Sequence, residues 1–356
     1  MGRRIRGMWL ISMVILLVVL TACSSGAGKN TEEATTAPTA SSEPEATPTA
    51  EPTPELAFTA PLTGLKRETE AAARPVAVMI NNLKPARPQS GLTNADVVWE
   101  VLAEGGITRL VAIFQSTDKG TDPIGPIRSI RPYLIDIGES YGAILAHSGA
   151  SNDAYDILQH QDKPYLDEIS NAGSYFWRSK DRKAPHNLYS ELDKLRAGAD
   201  KKNYRSEVTV PAYPFAEEGA TAAGAAATSI QIKFLLKDYK VSYEYDAAGG
   251  LYKRSINDEP HTDLNNGEQL SAVNVAVLGA NHKTLDDAGR LSVDLHAGGP
   301  ALLFQRGKVI ECEWVRGNDN MVRLMKDGAE LPFIPGKTFF QVVPNTPTFA
   351  EHVIYG

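Results

Sequence analysis

The stretch ADVVWEVLAEGGITRLVAIF, residues 95–114, decides the fold class of this chain. It holds two apolar runs rich in valine and isoleucine, ADVVWEVL (95–102) and ITRLVAIF (107–114), on either side of Glu104-Gly105-Gly106, and both read as strands. Upstream, VAVMI (76–80) is a third run of this kind, and downstream AILAHSG (143–149) is a fourth. Between the last two, Pro132 stands near the start of YLIDIGESY, which predicts a helix with proline in its first turn. Ser190-Glu191-Leu192-Asp193 ahead of LRAGA predicts another helix, with Ser190 as its cap and Asp193 in its first turn. From Pro75 to about Tyr204, strands therefore alternate with helical patterns, which implies helices packed on a sheet.

The pattern changes after the alanine- and glycine-rich bridge EEGATAAGAAA (217–227). Eight short runs follow: SIQIKFLL, YKVSYEYD, GLYKRSI, AVNVAVLG, GRLSVDLH, GPALLFQ, KVIECEWV and KTFFQVVP. Turn signals such as NNGE, QRGK and KDGAE separate them, so this half is expected to be a small sandwich or barrel-like unit. The fold class is α+β: a mixed α/β N-terminal region (58–216) packed with a mostly antiparallel, β-rich C-terminal region (228–346).

Residues 1–22 are a secretory signal, with Arg3, Arg4 and Arg6 ahead of an apolar run from Met8 to Leu20 that is shorter than a membrane span needs. Leu20-Thr21-Ala22-Cys23 resembles the bacterial lipobox, which implies that Cys23 becomes the acylated first residue of the mature protein. Residues 23–57, the lipidated cysteine and a tether rich in Thr, Ala, Glu and Pro with no aromatic before Phe58, have too little apolar surface to offset ordering entropy. The expected location is the outer face of the plasma membrane, with the membrane as partner through the lipid on Cys23. A formal net charge of −7 argues against nucleic acid as a partner. The second of the two cysteines, Cys312, alternates with charged residues in VIECEWV and is expected to be a buried thiol.

The chemistry is expected around GPIRSIRPY, residues 125–133. With Ile127 and Ile130 packed inward, Arg128 and Arg131 lie near one another and present planar donor forks suited to phosphate or carboxylate. Arg109 follows the Glu104-Gly105-Gly106 turn, and His147, Ser148 and Ser151 sit where a strand meets the next helix. Gly149 in a tight turn, with helix amides beyond Ser151, makes that junction a candidate anion cradle. A basic patch, WRSKDRKAPHNLY (177–189), adds Arg178, Lys180, Arg182, Lys183 and His186. One cleft with Arg109, Arg128 and Arg131 as charge partners, and His147, Ser148 and His186 as hydrogen-bonding groups, would bind an anionic envelope ligand. The competing reading is structural: the arginines pair with Asp136, Glu139 or Glu104, His147 is a core histidine, and the patch at 178–183 is a solvated loop.

The series RPVAVMINNLKPARPQSGLTNADVVWE, EGGITRL, GPIRSIRP, AHSGAS and HNLY, followed by YDAAGGLYKRSINDEPHTD and a last strand ending VVP, resembles the YerB-like lipoproteins. That family of Gram-positive envelope proteins is built from paired N- and C-terminal regions of a domain of unknown function (3048). The resemblance spans Leu62 to Pro344; it implies topology and location and leaves the reaction open. The layout of strand and arginine loop also resembles that of the LytR-CpsA-Psr transferases. On that alternative the arginines neutralise a pyrophosphate, with a divalent metal on Asp96, Glu100 or Asp153; otherwise no cofactor is expected. No G-x-S-x-G elbow, HExxH, P-loop or dinucleotide fingerprint is present. A third reading makes the β-rich half a docking module for wall-synthesis proteins.

Overall fold

The computed structural model describes residues 56–117, 119–287 and 289–356. The signal 1–22, Cys23 and all but the last two residues of the tether lie outside the described residues. The N-terminal region supplies β1 (Val76–Asn81), β2 (Val97–Leu102), β3 (Thr108–Phe114), α1 (Pro132–Ser140), β4 (Ile144–His147), α2 (Asn152–His160), β5 (Tyr165–Asp167) and α3 (Leu192–Lys201). Every residue of β1, β2 and β3 is buried. Strands that are mainly apolar and buried along their whole length belong in a sheet covered on both faces.

The C-terminal region supplies β6 (Ser229–Lys233), β7 (Lys240–Asp246), β8 (Leu251–Ile256), β9 (Asn274–Thr284), β10 (Leu291–Asp294) and β11 (Gly299–Gln305). It continues with β12 (Lys308–Arg316), β13 (Val322–Lys326), β14 (Thr338–Pro344) and β15 (Val353–Tyr355). The eight expected runs are all strands; β13 and β15 are additional. The α+β class holds, with strands well in excess of helix.

The C-terminal strands do not close into a sandwich or barrel of their own. A 13-stranded mixed sheet runs through both regions, its longer strands in the order β13–β12–β11–β9–β14–β2–β3–β1–β4–β5. The join is β14, which lies parallel to β9 on one side and parallel to β2 on the other. A second, six-stranded sheet carries β15–β6–β7–β8 and packs on the first, with Tyr243 edge-on to Phe339 and Tyr252 edge-on to Phe304.

Helix α1 begins at Pro132 as expected. Helix α3 begins one residue later than the sequence suggests, after Glu191, and Ser190 does not cap it. The Ser190 hydroxyl instead donates to the Tyr175 carbonyl at 2.8 Å, because Ser190 is still in a strand-like bridge with Ile124. Asp193 is in the first turn, and its carboxylate accepts from the Gly120 amide. Cys312 is half-buried on β12 rather than enclosed, and burial raises its thiol pKa to about 12.

The two sheets are tied by a buried polar network. Glu100 (β2) and Arg254 (β8) are both fully buried and meet at 2.7 Å. The other Glu100 oxygen accepts from Thr108 at 2.7 Å and from Tyr239 at 2.5 Å. Arg254 also donates to Tyr243 at 2.7 Å and to His261 Nδ1 at 3.0 Å. His261 Nε2 then donates to Gln89 Oε1 at 2.6 Å, and Gln89 donates to Asn82 Oδ1 at 2.9 Å. Since Nδ1 accepts from a guanidinium, His261 is neutral; burial first and then Arg254 hold its pKa well below the ordinary value. Burial opposes the charge on Arg254, yet Glu100 and the two tyrosines keep its pKa above normal.

Removing one member of a buried ion pair leaves the other uncompensated. Arg254→Met is therefore expected to lower unfolding free energy by about 3–5 kcal/mol in urea titrations. The Glu100→Leu, Arg254→Met double variant should lose clearly less than the sum of the single variants. Strict additivity would show that the two groups are not coupled.

Candidate functional site

Successive strand residues face opposite sides of a sheet, so Asn81 and Asn82 at the end of β1 serve different surfaces. Asn82 turns to the buried network and donates to Thr108 at 2.8 Å. Asn81 lies opposite Arg109 of β3, with Met79 opposite Val111 on the same face. The Arg128 amide donates to the Met79 carbonyl at 2.8 Å, which sets Arg128 beside that face. In the parallel β1–β4 pair, Val78 partners Ala146, so His147 comes next at the level of Met79. The register thus gathers Asn81, Arg109, Arg128 and His147 at one end of one face.

Arg109 is 1% exposed. Its Nη2 donates to Glu104 Oε1 at 3.1 Å, while Arg131 Nη2 donates to Glu104 Oε2 at 2.8 Å. One carboxylate therefore sits between two guanidiniums, placed there by the turn through Gly105 and Gly106, both at positive φ. Burial is the main cause that lowers the Arg109 pKa to about 10; Glu104 opposes the shift, and Arg131 and Arg128 add to it. The Nε atoms of both Arg109 and Arg131 are buried without an acceptor among the described residues. For these two arginines the pairing with Glu104, one of the alternatives open in the sequence, is what the structure contains.

Arg128 differs. Among the described residues it has no ion-pair partner and no side-chain hydrogen bond. Its charge reaches both Arg109 and His186, lowering the pKa of each. His186 Nδ1 accepts from Asn81 Nδ2 at 2.9 Å, so the imidazole is anchored beside Arg128. Burial, then Arg128 and Arg182, lower the His186 pKa, so it is neutral at pH 7. Arg182 donates to the carbonyls of Pro85 at 3.1 Å and Pro88 at 2.5 Å, contacts that leave its charge uncompensated by any carboxylate among the described residues.

The cradle expected at the β4–α2 junction is formed, but the protein's own Asp167 fills it. Asp167 is fully buried and accepts from the Gly149 amide at 2.8 Å, the Ser170 hydroxyl at 2.7 Å and the Tyr155 hydroxyl at 2.9 Å. Burial works against its ionisation, yet the hydrogen bonds of Gly149, Ser170 and Ile169 hold its pKa below the usual range. Ser151 caps α2 by accepting from the Ala154 amide. Ser148 faces away and donates to Glu168 at 2.8 Å; Glu168 also pairs with Arg178 at 3.1 Å. His147 is fully buried, with Nδ1 3.1 Å from the Gly149 carbonyl. A carbonyl only accepts, so Nδ1 carries the proton and the buried Nε2 keeps a lone pair with no partner among the described residues.

A cleft of about 730 Å³ lies between the start of α1, the start of α2 and β10; Arg131 lines it, but Arg109, Arg128, His147 and His186 do not. The carboxylates considered for a metal are dispersed. Asp96 accepts from the Gln115 and Ser116 amides, Glu100 is bound to Arg254, and Asp153 is exposed in the first turn of α2. Among the described residues no three metal-ligating side chains cluster.

Residues 62–205 match the family model described as the N-terminal domain of a protein of unknown function (DUF3048), and residues 230–340 match its C-terminal counterpart. The chain is similar to YerB of Bacillus subtilis (strain 168), a protein named as a lipoprotein: 39% identity over 289 residues, covering 80% of this chain and 86% of that one. The crystal structure of YerB from Bacillus subtilis superposes with a TM-score of 0.76 at 36% identity, covering 84% of this chain and 99% of that one.

His147 gives a pH test. Burial lowers its pKa from 6.5 to about 4, against the opposing pull of Asp167 at 3.5 Å. Because the unfolded chain binds the proton more readily, the His147 contribution is fully present above pH 6.5 and is lost as pH falls towards 4. The loss amounts to about 3 kcal/mol at one pKa unit per 1.36 kcal/mol. Urea unfolding of His147→Asn, which keeps a donor for Gly149, should show a shallower decline over that window than the parent chain. An unchanged slope would mean that His147 is already charged when folded.

Proposed function

The chain belongs to the DUF3048 family of YerB-like proteins, and from that premise we propose that it binds an anionic component of the cell envelope. The ligand is a phosphate- or carboxylate-bearing glycan or a lipid-linked precursor. The acylated Cys23 anchors the protein on the outer face of the plasma membrane, where such ligands are found. The observation that carries this reading is Arg128, a guanidinium without a carboxylate partner among the described residues, set beside His186, which also feels the charge of Arg182, and within electrostatic reach of Arg109. Arg109 and Arg131 share the single charge of Glu104, so the cluster keeps an excess of positive charge that an anion would neutralise. Guanidinium forks suit planar bidentate contact with phosphate or carboxylate. Neutral His186, with Nδ1 already accepting from Asn81, leaves Nε2–H as a donor to an incoming oxygen.

The roles differ from residue to residue. Arg128 and His186 contact the ligand, Arg131 flanks it, and buried Arg109 acts through charge. His147 and Ser148 support the fold, by way of Gly149 and Glu168.

The test is calorimetric titration of the full-length protein in detergent micelles with undecaprenyl pyrophosphate and, separately, with teichoic-acid fragments. Arg128→Ala is expected to weaken binding of at least one of them about tenfold or more, equivalent to roughly 1.4 kcal/mol. Arg128→Lys should retain part of the affinity, and raising the salt should weaken it. Equal affinity in the parent and Arg128→Ala would remove this reading.

A further inference from the structure

On the face of the sheet opposite Arg109, a pocket of about 170 Å³ opens between the end of β1, the start of β3 and the loop ahead of β7. Its inner wall is Asn82, Thr108 and Tyr239, whose hydrogens are already directed to Glu100 or to one another. Its rim carries Lys84 and Arg87, from the segment LKPAR (83–87), and Asp238. The Arg87 guanidinium lies 5.4 Å from the centroid of the Tyr239 ring, and its Nε is buried without an acceptor. Among the described residues, neither Arg87 nor Lys84 has a side-chain hydrogen bond or ion pair. Asp238 is close enough to favour the charge on Arg87 but forms no ion pair with it within 4.0 Å among the described residues.

The segment is held in place. Arg182 grips the carbonyls of Pro85 and Pro88 from the other side, and Ala86 is buried beneath it. The cations therefore stand at a fixed rim above a wall whose donors are all committed, and incoming oxygens would be met by Arg87 and Lys84. Two cations against one carboxylate leave one positive charge, which a monoanion neutralises and a dianion exceeds. At about 30 Å³ for each water, the pocket has room for five or six waters, enough for a carboxylate and a few carbons. Ile107 and Leu236 supply apolar surface for those carbons.

The geometry points to a binding site for a small monoanion, a carboxylate group on a short apolar stem, seated between Arg87 and Lys84. It is separate from the Arg128 surface, since the two lie on opposite faces of the sheet and are linked only through the neighbouring Asn81 and Asn82 and through Arg182, whose guanidinium is engaged with the Pro85 and Pro88 carbonyls.

The probe is butyrate, with butyramide as its neutral counterpart, followed by saturation-transfer NMR on the full-length protein in detergent micelles. Butyrate is expected to bind saturably with a dissociation constant on the order of a millimolar. Butyramide should bind at least tenfold more weakly. Arg87→Met should weaken butyrate about tenfold and Lys84→Met severalfold, while Arg128→Ala leaves it unchanged. Lys84 is exposed, so its variant keeps the test valid if Arg87→Met reduces the folded fraction. Equal binding of butyrate and butyramide, or parent-like binding in folded Arg87→Met and Lys84→Met, would overturn the assignment. Loss of butyrate binding in Arg128→Ala would transfer it to the other face and equally overturn this site.

Discussion

The ion pair between Glu100 and Arg254 is the constraint from which the arrangement of the two sheets follows. A carboxylate on a fully buried strand is tolerated only where its charge is answered and its lone pairs are occupied. Glu100 is answered from the second sheet by Arg254 and Tyr239, and within its own sheet by Thr108. Sliding one sheet over the other by one residue, about 3.3 Å, would carry Arg254 out of hydrogen-bond reach of Glu100 and leave two buried charges without partners. Hydrophobic packing of Tyr243 on Phe339 supplies attraction, but it is the polar network that selects one alignment among many that would bury similar area.

The strands were legible because their burial pattern is local. VAVMI, VVWEVL and TRLVAIF are mainly apolar and buried along their whole length since both faces are covered, with Glu100, Thr108 and Arg109 as the polar exceptions, and SIQIK alternates since one face is wet. The partnership of β14 was not legible. Its sequence, TFFQVVP, suits any buried strand, and the choice of β2 and β9 as neighbours rests on contacts with residues far away in the chain. A self-contained C-terminal unit was the natural reading of eight consecutive strands, and it fails because sheet membership is settled by those distant contacts. Ser190 shows the same limit on a smaller scale: its hydroxyl could serve a helix amide or the Tyr175 carbonyl, and only the bridge to Ile124 decides.

For the candidate site, residue type was readable and charge balance was not. Arg109, Arg128 and Arg131 do gather near one another, yet Glu104 answers two of them and leaves Arg128 as the distinct member. The glycine turn and the helix start after His147 do create an anion-binding geometry, but Asp167, eighteen residues after Gly149, fills it. Such geometry stabilises any negative charge, and the sequence does not say whether that charge is foreign or its own. Asn81 and Asn82, adjacent and identical, gave no sign that one would hold His186 and the other the buried network.

The position of β14 also governs the order in which the molecule can be completed. Until residues 338–344 are present, β2 and β9 each expose a row of unpaired amides and carbonyls that are enclosed in the finished sheet. Open edges of this kind invite pairing with other chains. Neither half is sealed until residues 338–344 have joined the sheet, and loss of that one strand would open both halves at once.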